Sequence, residues 1–140
     1  MTVHPQLRAD THYLGRFELS HCLLMNDSRY PWIILVPDVD GAEEIYRLST
    51  GDRQQLLNES CLVQQFMADN LSPDKLNIGA LGNIVPQLHL HHIARNIGDP
   101  AWPGPVWGHS PAVSYRPDAL KKLISLIRKN IELIEQQELL

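Results

Sequence analysis

The chain has 140 residues, 44% of them hydrophobic and 20% charged, a formal charge of −4 and two cysteines. That length suits one domain, residues 1–140, with a core large enough to stand without disulfide or metal staples. The acidic balance argues against a nucleic-acid polymer as partner, because that calls for a clustered basic excess, but it leaves room for a small anionic ligand.

The first eight residues show no charged segment leading into an apolar run, and no later stretch reaches the roughly 18 apolar residues of a membrane span. A soluble cytoplasmic protein with no membrane partner is therefore expected. Residues 17–25 begin in alternation and become continuously apolar, which predicts a strand entering a core. Asn26 to Pro31 supplies turn chemistry, and the β-branched run Trp32-Ile33-Ile34-Leu35-Val36 predicts a central strand antiparallel to the first, stopped by Pro37.

After a polar loop over 38–44, Ser49 and Asp52 resemble a capping box, with Asp52 able to reach back, and a helix is predicted to about Asn70. Its buried stripe is Leu56, Cys61 or Val63, Met67 and Leu71, opposite Arg53, Asn58, Gln65 and Asp69. Cys22 and Cys61 lack CxxC spacing, and both are expected as small buried apolar residues. Residues 75–81 alternate as a further strand, Gly82-Asn83 turns the chain, and a histidine-bearing strand over about 85–94 pairs with it.

From Asn96 to Pro117 the prolines and glycines forbid long regular structure, and Trp102 and Trp107 are expected to anchor that loop. Pro117-Asp118 then opens a terminal helix with Leu120, Leu123, Ile124, Ile127, Ile131 and Ile134 as its apolar stripe and Lys121, Lys122, Arg128 and Glu132 in solvent. Antiparallel strands around one long helix make this an α+β domain.

The chemistry concentrates in Gln87-Leu88-His89-Leu90-His91-His92-Ile93, where three of seven histidines fall. Strand alternation would put Gln87, His89 and His91 in a row on one face and His92 on the other with Leu88 and Leu90. Three uses fit such a row. An imidazole with polar neighbours can act as a nucleophile, two histidines at i and i+2 can ligate a metal, or the row is a solvated strand face. His4, His12, His21 and His109 have no partners at diagnostic spacing and are read as surface or satisfied core residues.

The run resembles the signature of the histidine-triad (HIT) family, His-φ-His-φ-His-φ-φ with φ apolar, in a variant form with Gln87 at the first triad position. The resemblance extends to Leu81-Gly82-Asn83-Ile84-Val85-Pro86, to residues 99–108, and to Leu24-Met25-Asn26-Asp27-Ser28-Arg29-Tyr30-Pro31-Trp32, looking like a bacterial branch of that family. It implies a HIT-like fold with an antiparallel sheet of about five strands, one long helix and a C-terminal helical extension. It also implies a homodimer that acts on the α-phosphate of nucleoside phosphates or phosphoramidates through a nucleotidyl-histidine intermediate; no cofactor is expected. By the same resemblance His89 is the nucleophile, His91 holds the reacting phosphate, Gln87 at the first triad position completes the catalytic set, and Asn26, Asp27, Asn77 and Asn83 contact the nucleotide. Gln87 cannot carry charge or shuttle a proton, so a nucleotide-binding module with weak or vestigial catalysis is the alternative. His92 is expected to be a packed or edge-exposed residue on the opposite face rather than a ligand.

Overall fold

The computed structural model describes residues 2–134; residue 1 and residues 135–140, assigned from the sequence to the same domain, lie outside the described residues. The chain order is α1 (Pro5–Asp10), β1 (Thr11–Arg16), β2 (Ser20–Met25), β3 (Trp32–Pro37), a 3-10 turn (Ile45–Arg47), α2 (Thr50–Leu71), β4 (Lys75–Gly79), β5 (Leu90–Arg95) and α3 (Pro117–Asn130). The five strands form one sheet in the order β1-β2-β3-β5-β4, antiparallel at every pairing. The expected α+β architecture is the observed one.

Alternation along the three inner strands sorts their side chains onto two faces. Ile33, Leu35, Leu90 and Ala94 join Leu56, Val63, Phe66 and Met67 of α2 and Ile127 of α3 in one buried cluster. Trp32, Ile34 and Ile93 join Val3, Leu7, Ala101 and Val106 in a second cluster on the opposite face. Helices therefore cover one side of the sheet, while α1 and the loop after β5 frame a hollow on the other.

Helix α2 starts where the sequence predicts, with Ser49 Oγ accepting the Asp52 N–H at 3.1 Å. It stops at Ser72, which turns left-handed at φ 47° just before Pro73. Of the two alternatives for its stripe, Val63 is buried and Cys61 is exposed, so the expectation of a buried Cys61 is corrected. Position 61 falls off the line from Leu56 through Val63 to Met67, whereas Cys22 on β2 is fully buried. The buried face also carries Glu59, whose carboxylate accepts the Leu19 and Ser20 N–H groups at 2.9 and 3.0 Å and so closes the turn into β2.

The strand predicted over 17–25 begins only at Ser20, and the short elements α1 and β1 precede it. In β1 the register shifts between Tyr13 and Gly15, and Arg128 of α3 donates to the Tyr13 and Leu14 carbonyls at this irregularity. Arg128 is thus half-buried rather than in solvent, because the shifted backbone offers it two acceptors. Helix α3 ends at Asn130; Ile131 and Leu133 continue the buried stripe as extended chain, and Ile134 is exposed instead of packed. Among the described residues no helix is long and apolar enough to cross a membrane.

His92 lies on the α2 side of the sheet, with no exposure to solvent. Its Nδ1–H donates to the Ile33 carbonyl at 3.1 Å, so its Nε2 accepts from Ser60 Oγ at 2.8 Å, and Ser60 in turn accepts from Gln64 at 3.0 Å. Burial lowers its pKa from the usual 6.5 to about 4. The folded value lies below the unfolded one, so stability is greatest above pH 6.5 and is lost as pH falls toward 4, by ~3 kcal/mol for this group. Urea melts at pH 7.5, 5.5 and 4.5 should show that decline, and His92→Asn should flatten it.

Candidate active site

On the open face, β5 and the residues just before it bring His89 and His91 to the floor of a cavity of about 640 Å³. The cavity is lined also by Asp27, Arg29, Trp32, Asn83 and Trp107. His89 and His91 are 7% and 6% exposed, with ring centroids 4.8 Å apart and planes at 67°.

Their hydrogen bonds fix two opposite tautomers. Trp32 Nε1, which can only donate, reaches His91 Nδ1 at 2.9 Å, so that nitrogen accepts and the neutral ring carries its proton on Nε2. His89 Nδ1 sits 2.7 Å from the Gln87 carbonyl oxygen, which can only accept, so this nitrogen carries the proton and Nε2 holds the lone pair. One ring therefore offers a nucleophilic nitrogen and its neighbour an N–H donor. Burial, then the proximity of His89 and His92, pushes the His91 pKa down to about 3, which keeps it a neutral donor at physiological pH. The His91 ring is clasped between Trp32 and Trp107, at centroid distances of 5.6 and 5.4 Å.

The third member of the expected row does not join it. Regular strand begins at Leu90, so the alternation that would aim Gln87 beside His89 does not reach residue 87. The Gln87 amide instead accepts the His4 N–H at 2.7 Å and donates to the Thr2 carbonyl at 3.0 Å, lining a separate hollow of about 370 Å³. Its side chain lies outside the cavity of His89 and His91; only its backbone carbonyl serves His89.

The four expected nucleotide contacts divide in the same way. Asp27 and Asn83 line the cavity. Asp27 is buried, with its carboxylate gripped by the Arg29 guanidinium at 2.9 and 3.0 Å. Burial raises its pKa, but hydrogen bonds from Arg29 and from the Val113 backbone outweigh this and hold it below the usual range. Arg29 also bonds Ser110 through both its hydroxyl and its carbonyl. Asn26 is outside the cavity lining, donating to Ser114 Oγ at 3.2 Å and accepting the Tyr115 N–H at 3.1 Å. Asn77 is likewise outside it and accepts from the buried Arg95 at 2.8 Å. Both amides are committed to holding the chain rather than facing the cavity.

Trp32, Arg29 and Trp107 are the lining residues that residue-type reasoning passed over or assigned to anchoring. Trp32 was within reach, since a strand paired to the histidine strand places alternate residues, here Trp32 and Ile34, on the same face as His91. Trp107 both anchors its loop and walls the site. Its ring packs so close to Gly79 that a Cβ there would sit 3.1 Å from it. Trp102 lies instead under Arg95, 5.6 Å from ring centroid to guanidinium. Among the described residues no three His, Cys, Asp or Glu side chains converge on a metal position.

Comparison with known proteins agrees with the fold. The chain is 49% identical to a histidine triad protein from Marinobacter aquaeolei VT8, with a TM-score of 0.89 over 91% of this chain and 93% of that one. It is 41% identical to a histidine triad (HIT) protein from Sinorhizobium meliloti 1021, with a TM-score of 0.90 over 93% of this chain and 96% of that one. A histidine triad protein from Bradyrhizobium japonicum is also 41% identical, with a TM-score of 0.91 over 94% of this chain and 98% of that one. No curated protein matched. The family model described as HIT domain matches residues 6–97, and with the shared fold this shows that the chain belongs to the HIT domain family.

Proposed function

We propose that this protein is a nucleotidyl hydrolase or transferase in which His89 Nε2 attacks the α-phosphorus of a nucleoside phosphate or phosphoramidate. The observation that carries this reading is the opposed pair of tautomers, a lone pair on His89 beside an N–H on His91 in one cavity. As the N–P bond forms, the P–O or P–N bond to the leaving group breaks, and the departing atom takes a proton from water. Water then attacks phosphorus, the N–P bond breaks, and a nucleoside monophosphate leaves. His91 Nε2–H stabilises the phosphoryl oxygen on which charge grows.

Asp27 and Asn83 are the best-placed groups for the sugar and phosphates, with the apolar wall of Met25, Ile34 and Val106 available to the base. Intact-mass spectrometry after incubation with an adenosine or guanosine phosphoramidate tests the reading. An adduct of one nucleoside monophosphate on His89 is expected, and its absence alongside micromolar nucleotide binding would favour a binding module with vestigial catalysis. That second reading draws on the Gln87 side chain's lying away from the cavity.

Trp32→Phe keeps an aromatic wall but removes the donor that sets the His91 tautomer. It should lower kcat about tenfold, roughly 1.4 kcal/mol of transition-state stabilisation, with a smaller change in KM. Steady-state kinetics on the phosphoramidate checks this. A homodimer is supported by the edge position of β4 and by exposed Leu81 and Ile84 in the cavity lining. Light scattering on the purified protein reports the mass directly.

A further inference from the structure

We propose that Gln87 is a positioning residue: by clamping residues 2–4 with its side-chain amide, it fixes its own carbonyl against His89 Nδ1 and holds His89 in the tautomer that leaves Nε2 free. This rests on the nucleotidyl-transfer reading for its kinetic consequence, though not for its structural one.

The clamp is specific in shape. The Gln87 amide accepts the His4 N–H at 2.7 Å and donates to the Thr2 carbonyl at 3.0 Å. In extended chain, an N–H and the carbonyl two residues earlier point to the same side, so the amide acts as a one-residue strand partner across Val3. Val3 is itself buried at 5% exposure, so both the backbone and the side chain of this segment are held. A primary amide presents acceptor and donor side by side. The two nitrogens of an imidazole diverge, so histidine cannot make this pair of bonds to one strand edge.

The clamp matters because residues 87–89 precede the regular ladder of β5. A main-chain tie there is Leu88 N–H to the Ala42 carbonyl at 2.9 Å. Rotation of the Gln87 carbonyl away from His89 would remove the acceptor that keeps the proton on Nδ1. The neutral ring would then divide its time between tautomers, and the fraction protonated on Nε2 cannot attack phosphorus.

The test pairs a tautomer measurement with kinetics, using nitrogen-15 NMR of the histidine side chains and assays on an adenosine phosphoramidate. Gln87→Ala should convert His89 from the Nδ1–H form to a mixture and lower kcat about tenfold, with KM within about twofold. His4→Pro removes only the backbone donor of the clamp, at a φ of −51° that proline tolerates, together with the side-chain cap on Gln6 N–H. His4→Ala loses the same cap but keeps the N–H. His4→Pro should therefore behave like a milder Gln87→Ala, and His4→Ala like the parent. A pure Nδ1–H form in Gln87→Ala, or identical behaviour of the two His4 variants, overturns the proposal. Mixed tautomers in a protein that forms no adduct would support the clamp while rejecting the nucleotidyl-transfer reading, so the two failures are distinguishable.

Discussion

His89→Ala should lose roughly four orders of magnitude in turnover and form no nucleotidyl adduct, while still binding a nucleoside monophosphate within a few-fold of the parent. The size of the effect follows from the division of labour at the site. On the proposed mechanism His91 cannot stand in for His89, because its Nδ1 lone pair is taken by Trp32 and its Nε2 carries the proton. The site keeps its donors and apolar walls, which is why binding should survive. Removing a nucleophile from such an assembly leaves only the rate given by binding and charge stabilisation. Single-turnover kinetics with mass spectrometry decides the matter, and turnover above about a tenth of the parent in the variant would sink the mechanism. Folding is checked by the parent's melting curve, because His89 Nδ1 bonds a neighbour two residues away rather than a distant element.

Asp99→Ala should be the most damaging single change to stability, at about 3–5 kcal/mol, lowering Tm by about 10 °C or more. Arg95 is only 1% exposed and forms two bonds to Asp99, Nε to Oδ2 at 2.8 Å and Nη2 to Oδ1 at 2.9 Å, with a third to Asn77 at 2.8 Å. Asp99 also accepts the N–H groups of Asn96, Ala101 and Trp102, so its loss strands a buried cation and unties the loop that carries Trp107 to His91. Arg95→Met combined with Asp99→Ala should recover part of the loss, because no unpaired charge then remains buried. The bonds from Arg95 are the main reason the Asp99 pKa is lowered from 3.8 to about 2. With the folded value below the unfolded one, ~2 kcal/mol of stability is present above pH 4 and disappears as pH falls through 2. Thermal melts of the parent and both variants, each run at pH 7 and pH 3, measure the two effects together.

The elements legible in the sequence are those whose periodicity is unbroken. Trp32–Pro37 is apolar on both faces because both faces of β3 are covered, and the Ser49 cap and the Leu56, Val63, Met67 spacing mark α2 unambiguously. α1 and β1 escaped because six polar-rich residues give no usable period and the register irregularity beside Gly15 breaks the alternation. At the site, alternation correctly parted His91 from His92. It misplaced Gln87, since period two holds only inside a strand and β5 begins three residues later. The roles of Asn26 and Asn77 were not readable either. An amide that braces a backbone or an arginine has the same composition and spacing as one that faces a ligand, and only the tertiary partners tell them apart.

The adjacency of His91 and His92 on β5 means that identity of function here is a property of pairing, not of residue type. A slip of one residue between β5 and its neighbours would exchange the two rings. The imidazole bonded to Ser60 would then face the cavity, and the one clasped by tryptophans would enter the helix-covered core. β5 is secured against this on both edges, with Ile34 of β3 and Gly79 of β4 both opposite His91. Sheet order is therefore an instrument of selection between two chemically identical side chains. Mutations far from the cavity that loosen either neighbouring strand would change which of the two imidazoles faces it.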